Sequence, residues 1–416
     1  MALKPIPTTT EIHPFNGAPK GLFCFGDAVA RLEALLPEYE GRIKLVYMDP
    51  PFMTGERFFM RVRVGAEEWR RGRGSLALES FVDQKNREEF LALMRRVLAL
   101  CRRLLSDEGM IFVHVDYRAH AHVRLLMDEI FGEDNLLNEI VWVYQSGGRS
   151  VRHFSRKHDN ILFYRKTDRD DVNIDAVKAP RAKPRTSHMR RHVDPDGRVY
   201  RSIRTGGRVY TYYDDDPIAP SDVWQDLSHL QQKDPERTGY DTQKPLALLD
   251  RIVKCASRPG DWVLDPFAGS ATALEAAVRN GRSFIGIDRC PMALNIARRR
   301  LAGADWRILR APEPPCVEAP MCEAEARTGV GFYHVQLRSF EADIPDMPSD
   351  AGALDAVDNW SVGYLRPEGY VVMTEFARGT RRPELETELA VPAYSGQLAL
   401  CVNDVTGRSW LYGLDR

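Results

Sequence analysis

Trp262-Val263-Leu264-Asp265-Pro266-Phe267-Ala268-Gly269-Ser270 reads as a buried apolar strand that ends in a carboxylate and a tight turn. The turn feeds a helix from Ala271 to Asn280, and Gly281 closes it as a helix C-terminus should. Ser283-Phe284-Ile285-Gly286-Ile287 follows as a further strand, again ending in a carboxylate, Asp288. The spacing from Asp265 to Asp288 matches a nucleotide-binding βαβ unit, in which a glycine turn admits the ligand to the backbone and an acidic residue about 20 positions on holds ribose hydroxyls. A ribose-bearing cofactor is implied. A nicotinamide cofactor would want a three-glycine turn around a pyrophosphate, so one glycine beside the bulky Phe267 favours a cofactor without phosphates.

Far upstream, Ile43-Lys44-Leu45-Val46-Tyr47-Met48 is another apolar, β-rich run, which puts Asp49 just past the carboxyl end of a buried strand. Open α/β sheets keep their sites there. In Asp49-Pro50-Pro51-Phe52 the prolines fix φ and remove two donors, leaving carbonyl acceptors beside a carboxylate and an aromatic face. Such a group suits a planar ring bearing an NH2. Asp49 and the Pro50 carbonyl can each accept an amino hydrogen while Phe52 stacks on the ring. Taken alone, the tetrapeptide could equally be a strand terminator.

Together these stretches resemble the permuted, β-class family of S-adenosylmethionine-dependent DNA amino-methyltransferases. Asp265 to Ser270 is similar to the family's cofactor turn, Asp288 to its ribose ligand and Asp49 to Phe52 to its catalytic tetrapeptide. Thr242-Gln243-Lys244-Pro245 resembles the segment that holds the methionine part of the cofactor, and Gly26-Asp27 the segment that brings Asp27 to its adenine side. The resemblance implies catalytic roles for Asp49, Pro50, Pro51 and Phe52. It implies cofactor contacts from Asp27, Thr242, Lys244, Asp265, Phe267, Gly269, Ser270, Thr272 and Asp288, with S-adenosylmethionine as cofactor and no metal. It covers roughly residues 20–166 and 240–302. One departure stands out: the family's turn continues Gly-Ser-Gly-Thr, whereas here it runs Gly269-Ser270-Ala271-Thr272. Thr272 to Ala277 is otherwise a good helix, which predicts φ near −60° at Ala271 and a benign methyl. A positive φ there would instead lower cofactor affinity.

Strands predicted at about 22–25, 43–48, 109–115, 138–144, 160–165, 261–265 and 283–287 alternate with helices at about 27–36, 86–105, 118–130, 245–257, 271–280 and 291–301. This predicts an α/β fold, a doubly wound Rossmann-like sheet in circularly permuted order, closed by bringing 241–310 beside 20–50. Residues 1–166 are then the catalytic half, 167–240 a target-recognition insert and 241–310 the cofactor-binding half. Ala311-Pro312-Glu313-Pro314-Pro315 reads as an acidic linker, and 311–416 as that linker with a small C-terminal β-rich domain.

The 416 residues are 44% hydrophobic and contain neither a bilayer-spanning run nor a signal peptide, so the expected location is cytoplasmic, with the nucleoid. The seven cysteines are scattered and never in Cys-x-x-Cys spacing, which suggests reduced structural thiols and no zinc site. The net charge of −1 hides a division: residues 145–210 hold 17 Lys or Arg against 7 Asp or Glu, and residues 311–416 hold 8 against 17. The basic segment lies between the two halves of the site, where the resembled family carries its recognition insert. Arg149, Arg152, Arg156, Lys157, Arg185, Arg190, Arg191 and Arg204 are its candidate contacts to double-stranded DNA. Turn signals at Asp194-Pro195-Asp196-Gly197 and Thr205-Gly206-Gly207 break it up, so ordering through DNA or the core is expected. Arg57 to Arg73, with Phe58, Phe59 and Trp69, is a second basic stretch; the resemblance implies a loop that closes over DNA, and its composition alone fits an ordinary surface loop equally well.

Asp at the first tetrapeptide position favours N6 of adenine, because the family's cytosine members favour Ser there. Cytosine N4, RNA and a DNA-binding subunit with a decayed pocket are the alternatives. A homodimer and a restriction or defence partner are both compatible with the sequence.

Overall fold

The computed structural model describes residues 3–7, 10–14, 20–65, 75–83, 86–144, 150–180, 189–231, 233–310, 319–348, 351–379 and 384–414. Two short strands, β1 (Pro5–Ile6) and β2 (Thr10–His13), precede β3 (Lys20–Phe25), helix α1 (Ala28–Tyr39) and β4 (Ile43–Met48). A hairpin, β5 (Arg57–Arg63) and β6 (Ser75–Val82), leads to α2 (Arg87–Leu104), β7 (Leu105–Val115), α3 (His120–Phe131), β8 (Leu136–Val143) and β9 (His158–Arg165). The insert region carries β10 (Arg190–Val193), β11 (Val199–Thr205), β12 (Arg208–Tyr213) and β13 (Val223–Trp224). Next come α4 (Leu246–Ala256), β14 (Trp262–Asp265), α5 (Thr272–Arg279), β15 (Ser283–Asp288), α6 (Pro291–Arg300) and β16 (Asp305–Arg310). The last strands are β17 (Met321–Thr328), β18 (Phe332–Glu341), β19 (Val357–Arg366), β20 (Gly369–Ala377), β21 (Glu388–Pro392), β22 (Gln397–Asp404) and β23 (Ser409–Gly413).

Every residue of β4 is buried, as a central parallel strand requires. β3, β15, β14, β4 and β7 lie side by side and all run parallel. Val263 and Leu264 pair with Leu45 and Val46, and Phe284 to Asp288 pair with Gly21 to Phe25. The late segment therefore sits between β3 and β4, the arrangement expected for the permuted order. Val46 and Met48 face a core shared with α1, α2 and α3, whereas Leu45 and Tyr47 face one shared with α4, α5 and α6. Three helices thus cover each face, and the sheet is doubly wound. Asn86 starts α2 by accepting from the Glu88 N–H at 3.0 Å, with acidic residues in the first turn and Arg102 and Arg103 in the last.

In the insert, β10, β11 and β12 form an antiparallel sheet of their own. Gly206 and Gly207, both at positive φ, join Thr205 to its partner Arg208 in a two-residue hairpin turn. β13 returns to pair with β8 at the edge of the main sheet.

The C-terminal strands do not stand apart from the core. β16 pairs with β3 on one side and with β2 on the other, and β2 pairs in turn with β20, so that β19, β22, β23 and β1 extend one continuous 15-stranded sheet. Met292 and Ile296 of α6 and Met60 and Val62 of the hairpin share a core with Trp360, Val362 and Leu400. β17, β18 and β21 form a separate three-stranded sheet packed on that core. The proline-rich stretch Ala311 to Pro315 lies outside the described residues.

A buried ionic cluster fastens this junction. Glu11 and His13 share one face of β2, where Glu11 meets Arg298 at 2.6 Å and His13 at 2.8 Å, while His13 Nδ1 lies 3.2 Å from Glu375 of β20. The His13 ring stacks on Trp306, with centroids 4.8 Å apart. Burial alone would lower the His13 pKa, but hydrogen bonds to Glu11 and Glu375 and their charges outweigh it and raise it to about 9. Burial likewise works to raise the Glu11 carboxyl, yet Arg298 and His13 hold it well below the usual carboxylate range. A histidine whose folded pKa is raised contributes stability that is complete below its unfolded value and vanishes as pH rises through the folded one. Between pH 6.5 and about 9 the wild type should therefore lose stability on the order of 3 kcal/mol relative to His13→Gln. Urea unfolding of both proteins across that range checks it.

Candidate active site

The carboxyl ends of β3, β4, β14 and β15 open into one cleft, lined by Asp27, Asp49, Phe52, Tyr240, Thr242, Lys244, Asp265, Phe267, Gly269, Ser270, Thr272 and Asp288 among others. Every residue expected to bind the cofactor and every residue of the tetrapeptide is on its wall. Five lining carboxylates (Asp27, Asp49, Asp83, Asp265, Asp288) face two cationic side chains, Lys244 and Arg289.

The turn after β14 is closed by its own carboxylates. Asp265 Oδ1 accepts the Phe267 N–H at 3.0 Å, and Asp288 Oδ2 accepts the Gly269 N–H at 2.7 Å. Asp288 Oδ1 also accepts the Cys290 N–H at 2.7 Å. Gly269 adopts φ 47°, and a Cβ there would come within 3.3 Å of the Tyr240 ring. Burial, reinforced by the charges of Asp49 and Asp288, pushes the Asp265 carboxyl well above its ordinary range. Burial raises Asp288 too. Asp27 stands at the mouth, where one of its oxygens caps α1 through the Ala30 N–H at 3.1 Å. Ser270 and Thr272 hydroxyls bond each other at 3.0 Å.

Ala271 corrects the sequence expectation. It does not open the helix with a negative φ but caps α5 in the left-handed region, at φ 55° and ψ 25°. The chain must reverse between β14 and α5 within a few residues, and the Ala271 N–H closes that reversal on the Ala268 carbonyl at 2.7 Å. Local turn geometry overrides helix propensity here. The methyl is fully buried in the core beneath the turn and does not line the cleft, so its cost falls on folding. Ala271→Gly should stabilise the protein by about 0.5 to 1 kcal/mol, the left-handed strain relieved less the glycine's extra chain entropy. Denaturant midpoints read the difference.

At the tetrapeptide, Lys244 donates to Asp49 Oδ2, and its Nζ lies 5.3 Å from the Phe52 ring centroid. The other oxygen, Asp49 Oδ1, is buried and has no hydrogen-bond partner. A buried acceptor left open is costly unless a ligand fills it. Behind the tetrapeptide, Asp83 accepts the N–H groups of Phe52 at 3.1 Å, Met53 at 3.2 Å and Thr54 at 2.7 Å. Met53 is held at φ 58° in that turn. On the far side, the His114 ring lies 6.3 Å from that of Phe52 and bonds Asp159 at 3.1 Å and Tyr47 at 3.3 Å. Tyr144 donates to the same Asp159 at 3.1 Å.

Sequence reasoning missed Asp83, His114, Asp159, Tyr144 and Tyr240. His114 had a signal, a lone polar residue inside the apolar run Phe112-Val113-His114-Val115. Asp83 had none, because it reaches the site only through the return of the β5–β6 hairpin.

The expected DNA contacts are less united than the cleft. Arg190 and Arg204 share one face of the insert sheet with His192 and Tyr200, and strand alternation puts Arg191 on the other with Arg201 and Tyr212. Arg152 and Arg156 are exposed on the loop before β9, with Lys157 half-buried beside them. Arg149, Arg185, Trp69 and Arg73 lie outside the described residues. Arg198 and Arg201, also in the basic run, are paired with Asp215 and Asp214.

A doubly wound sheet whose acidic strand ends converge on a cleft, with Asp265 and Asp288 on one wall and an Asp-Pro-Pro-Phe turn on another, defines a Rossmann-like group-transfer enzyme. The model of the DNA methylase family (N6_N4_Mtase) matches residues 43–299, and the chain belongs to that family. The type II methyltransferase M.EcaI of Enterobacter cloacae is 28% identical over 336 residues, 70% of each chain. The DNA adenine methyltransferase YhdJ of Escherichia coli K12 is 28% identical over 278 residues, 66% of this chain and 81% of its own. Among solved structures, the Thermus thermophilus protein TTHA0409 complexed with S-adenosyl-L-methionine covers 71% of this chain and 100% of its own at 20% identity and a TM-score of 0.45.

Because Asp83 alone gathers three consecutive N–H groups of the tetrapeptide turn, Asp83→Ala should lower kcat between about 10- and 100-fold by displacing Asp49 and Phe52. Methyl transfer by the purified variant, with circular dichroism to confirm folding, measures it.

Proposed function

We propose that the protein transfers a methyl group from S-adenosylmethionine to the N6 amino group of an adenine flipped out of double-stranded DNA. The observation that carries this reading is the open acceptor Asp49 Oδ1, beside the Phe52 ring and with its partner oxygen held by Lys244. An exocyclic amino group supplies the missing donor.

The cleft fits the cofactor. Bound S-adenosylmethionine supplies an electrophilic methyl group on a sulfonium centre. The excess of acidic over basic side chains suits that positive charge. Asp288, with both oxygens pinned by backbone N–H groups, is oriented for the ribose hydroxyls. Asp27 takes the adenine side, Phe267, Gly269, Ser270 and Thr272 form the wall, and Thr242 and Lys244 hold the methionine end.

Asp49 accepts one amino hydrogen and Phe52 stacks on the base, which aims the nitrogen lone pair at the methyl group. Bound there, S-adenosylmethionine would give up its methyl group to that nitrogen, one N–C bond made for one S–C bond broken. The methylated nitrogen is cationic and acidic, so its proton passes to the Asp49 acceptor without a strong base. Flipping costs about a few kcal/mol, and stacking on Phe52 returns about 1 to 3 kcal/mol. Phosphate contacts from Arg152, Arg156, Lys157 and one face of the insert sheet offset the rest. Adenine is favoured over cytosine by the Asp at the head of the tetrapeptide and by similarity to a named DNA adenine methyltransferase. A restriction or defence nuclease is the class of partner that would share its recognition sequence.

The test is expression in a methylation-free host, followed by quantification of N6-methyladenine and N4-methylcytosine in digested DNA. N6-methyladenine should accumulate with the wild type and vanish with Asp49→Ala. N4-methylcytosine in its place would overturn the adenine assignment, and no mark from the wild type would overturn the enzyme.

A further inference from the structure

Val151 and Phe154 are each 98% exposed, on a tip formed by residues 150–157, the described stretch that leads into β9. Isolated exposed apolar residues are ordinary, but a phenyl ring held wholly in water among basic groups invites a partner. The tip is shaped rather than loose. Ser150 Oγ accepts the N–H groups of Arg152 and His153, both at 3.3 Å, and Ser155 Oγ accepts that of Ser150 at 3.4 Å. This turn directs Val151 and Phe154 outward.

Its base is tied to the catalytic cleft. The Tyr144 N–H donates to the Lys157 carbonyl at 2.9 Å, and the Tyr144 hydroxyl leads through Asp159 to His114, which faces Phe52. Arg156 lies 3.8 Å above the Tyr117 ring and donates to its hydroxyl at 2.6 Å. Tyr117 follows β7 by two residues, and Val113 of β7 is paired with Met48, directly before Asp49. Apolar groups at the apex and cations on the flanks form the pattern by which proteins pry base steps apart while gripping the phosphates.

We propose that this tip enters the duplex beside the target pair and that Phe154 fills the space the flipped base vacates, with Val151 against the neighbouring step. The proposal rests on the methyltransferase reading above. Phe154 is then a wedge that lowers the cost of extrusion without touching the reacting atoms.

The recognition sequence is first mapped from methylated host DNA, and short duplexes carrying it are methylated by wild type, Phe154→Ala and Phe154→Leu. On the matched duplex Phe154→Ala should lose about tenfold or more in kcat/KM, whereas Phe154→Leu keeps most of the rate. Opposite an abasic site, where the target is already unpaired and cheaper to extrude, Phe154→Ala should return to within about threefold of wild type. The fluorescence rise of 2-aminopurine at the target position should shrink in parallel. Wild-type rates on the matched duplex, or an equal loss on both duplexes, would overturn the wedge while leaving the methyltransferase intact. No methylation by the wild type would instead remove the reading on which the wedge rests.

Discussion

Two parallel pairings, β4 with β14 and β3 with β15, govern everything at the cleft. They insert strands from late in the chain between strands from its beginning, and they align the carboxyl ends so that Asp27, Asp49, Asp265 and Asp288 converge. Carboxylates from four strand ends repel one another, and desolvation makes that worse. Lys244 is the answer built into the fold. It enters from the segment before α4, 195 positions from Asp49, and binds the one carboxylate that has no backbone donor to steady it. Burial and the charges of Asp49 and Asp288 still hold the Asp265 carboxyl well above its ordinary range.

The same logic separates rigid from open parts of the site. Asp265 and Asp288 have backbone partners that hold them in place, and Asp83 immobilises the tetrapeptide from behind. Asp49 Oδ1 alone is buried without a partner among these groups. Preorganisation of this kind concentrates the unmet hydrogen-bonding capacity on Asp49, the group proposed to meet the substrate.

Legibility in the sequence followed the range of the determining interaction. Asp49, Asp265 and Asp288 were readable because each ends an apolar run, and burial of a parallel strand is a local property. The permuted closure was readable because the resemblance expects the Asp265 turn and the Asp49 tetrapeptide to meet in one site. Three kinds of feature were not. Asp83 and Asp159 act across long sequence separations that no local pattern encodes. The left-handed Ala271 was hidden by the good helix after it, since propensity says nothing about how sharply the chain must turn beforehand. The insert arginines could be counted but not assigned to faces, because one residue of register decides which side of a strand each occupies. The C-terminal strands read correctly as β-rich, yet their membership of the main sheet depends on β2, four residues whose edge pairing with β16 and β20 is invisible without the fold.

The molecule faces two electrostatic tasks of opposite sign and separates them in space. A sulfonium cofactor wants a negative cleft, whereas a duplex wants a positive surface, and a single patch cannot serve both. The strand ends hold the acid below the surface, where low dielectric strengthens its hold on a cation and distance weakens its repulsion of phosphates. The basic side chains stand on the β8–β9 loop and the insert sheet, both borne at the β9–β8–β13 side of the sheet. The acidic C-terminal strands extend the opposite side, beyond β16 and β2. In the proposed reading, a duplex gripped from the basic side brings its target base to the tetrapeptide, so hold on the backbone and capture of the base share one docking geometry.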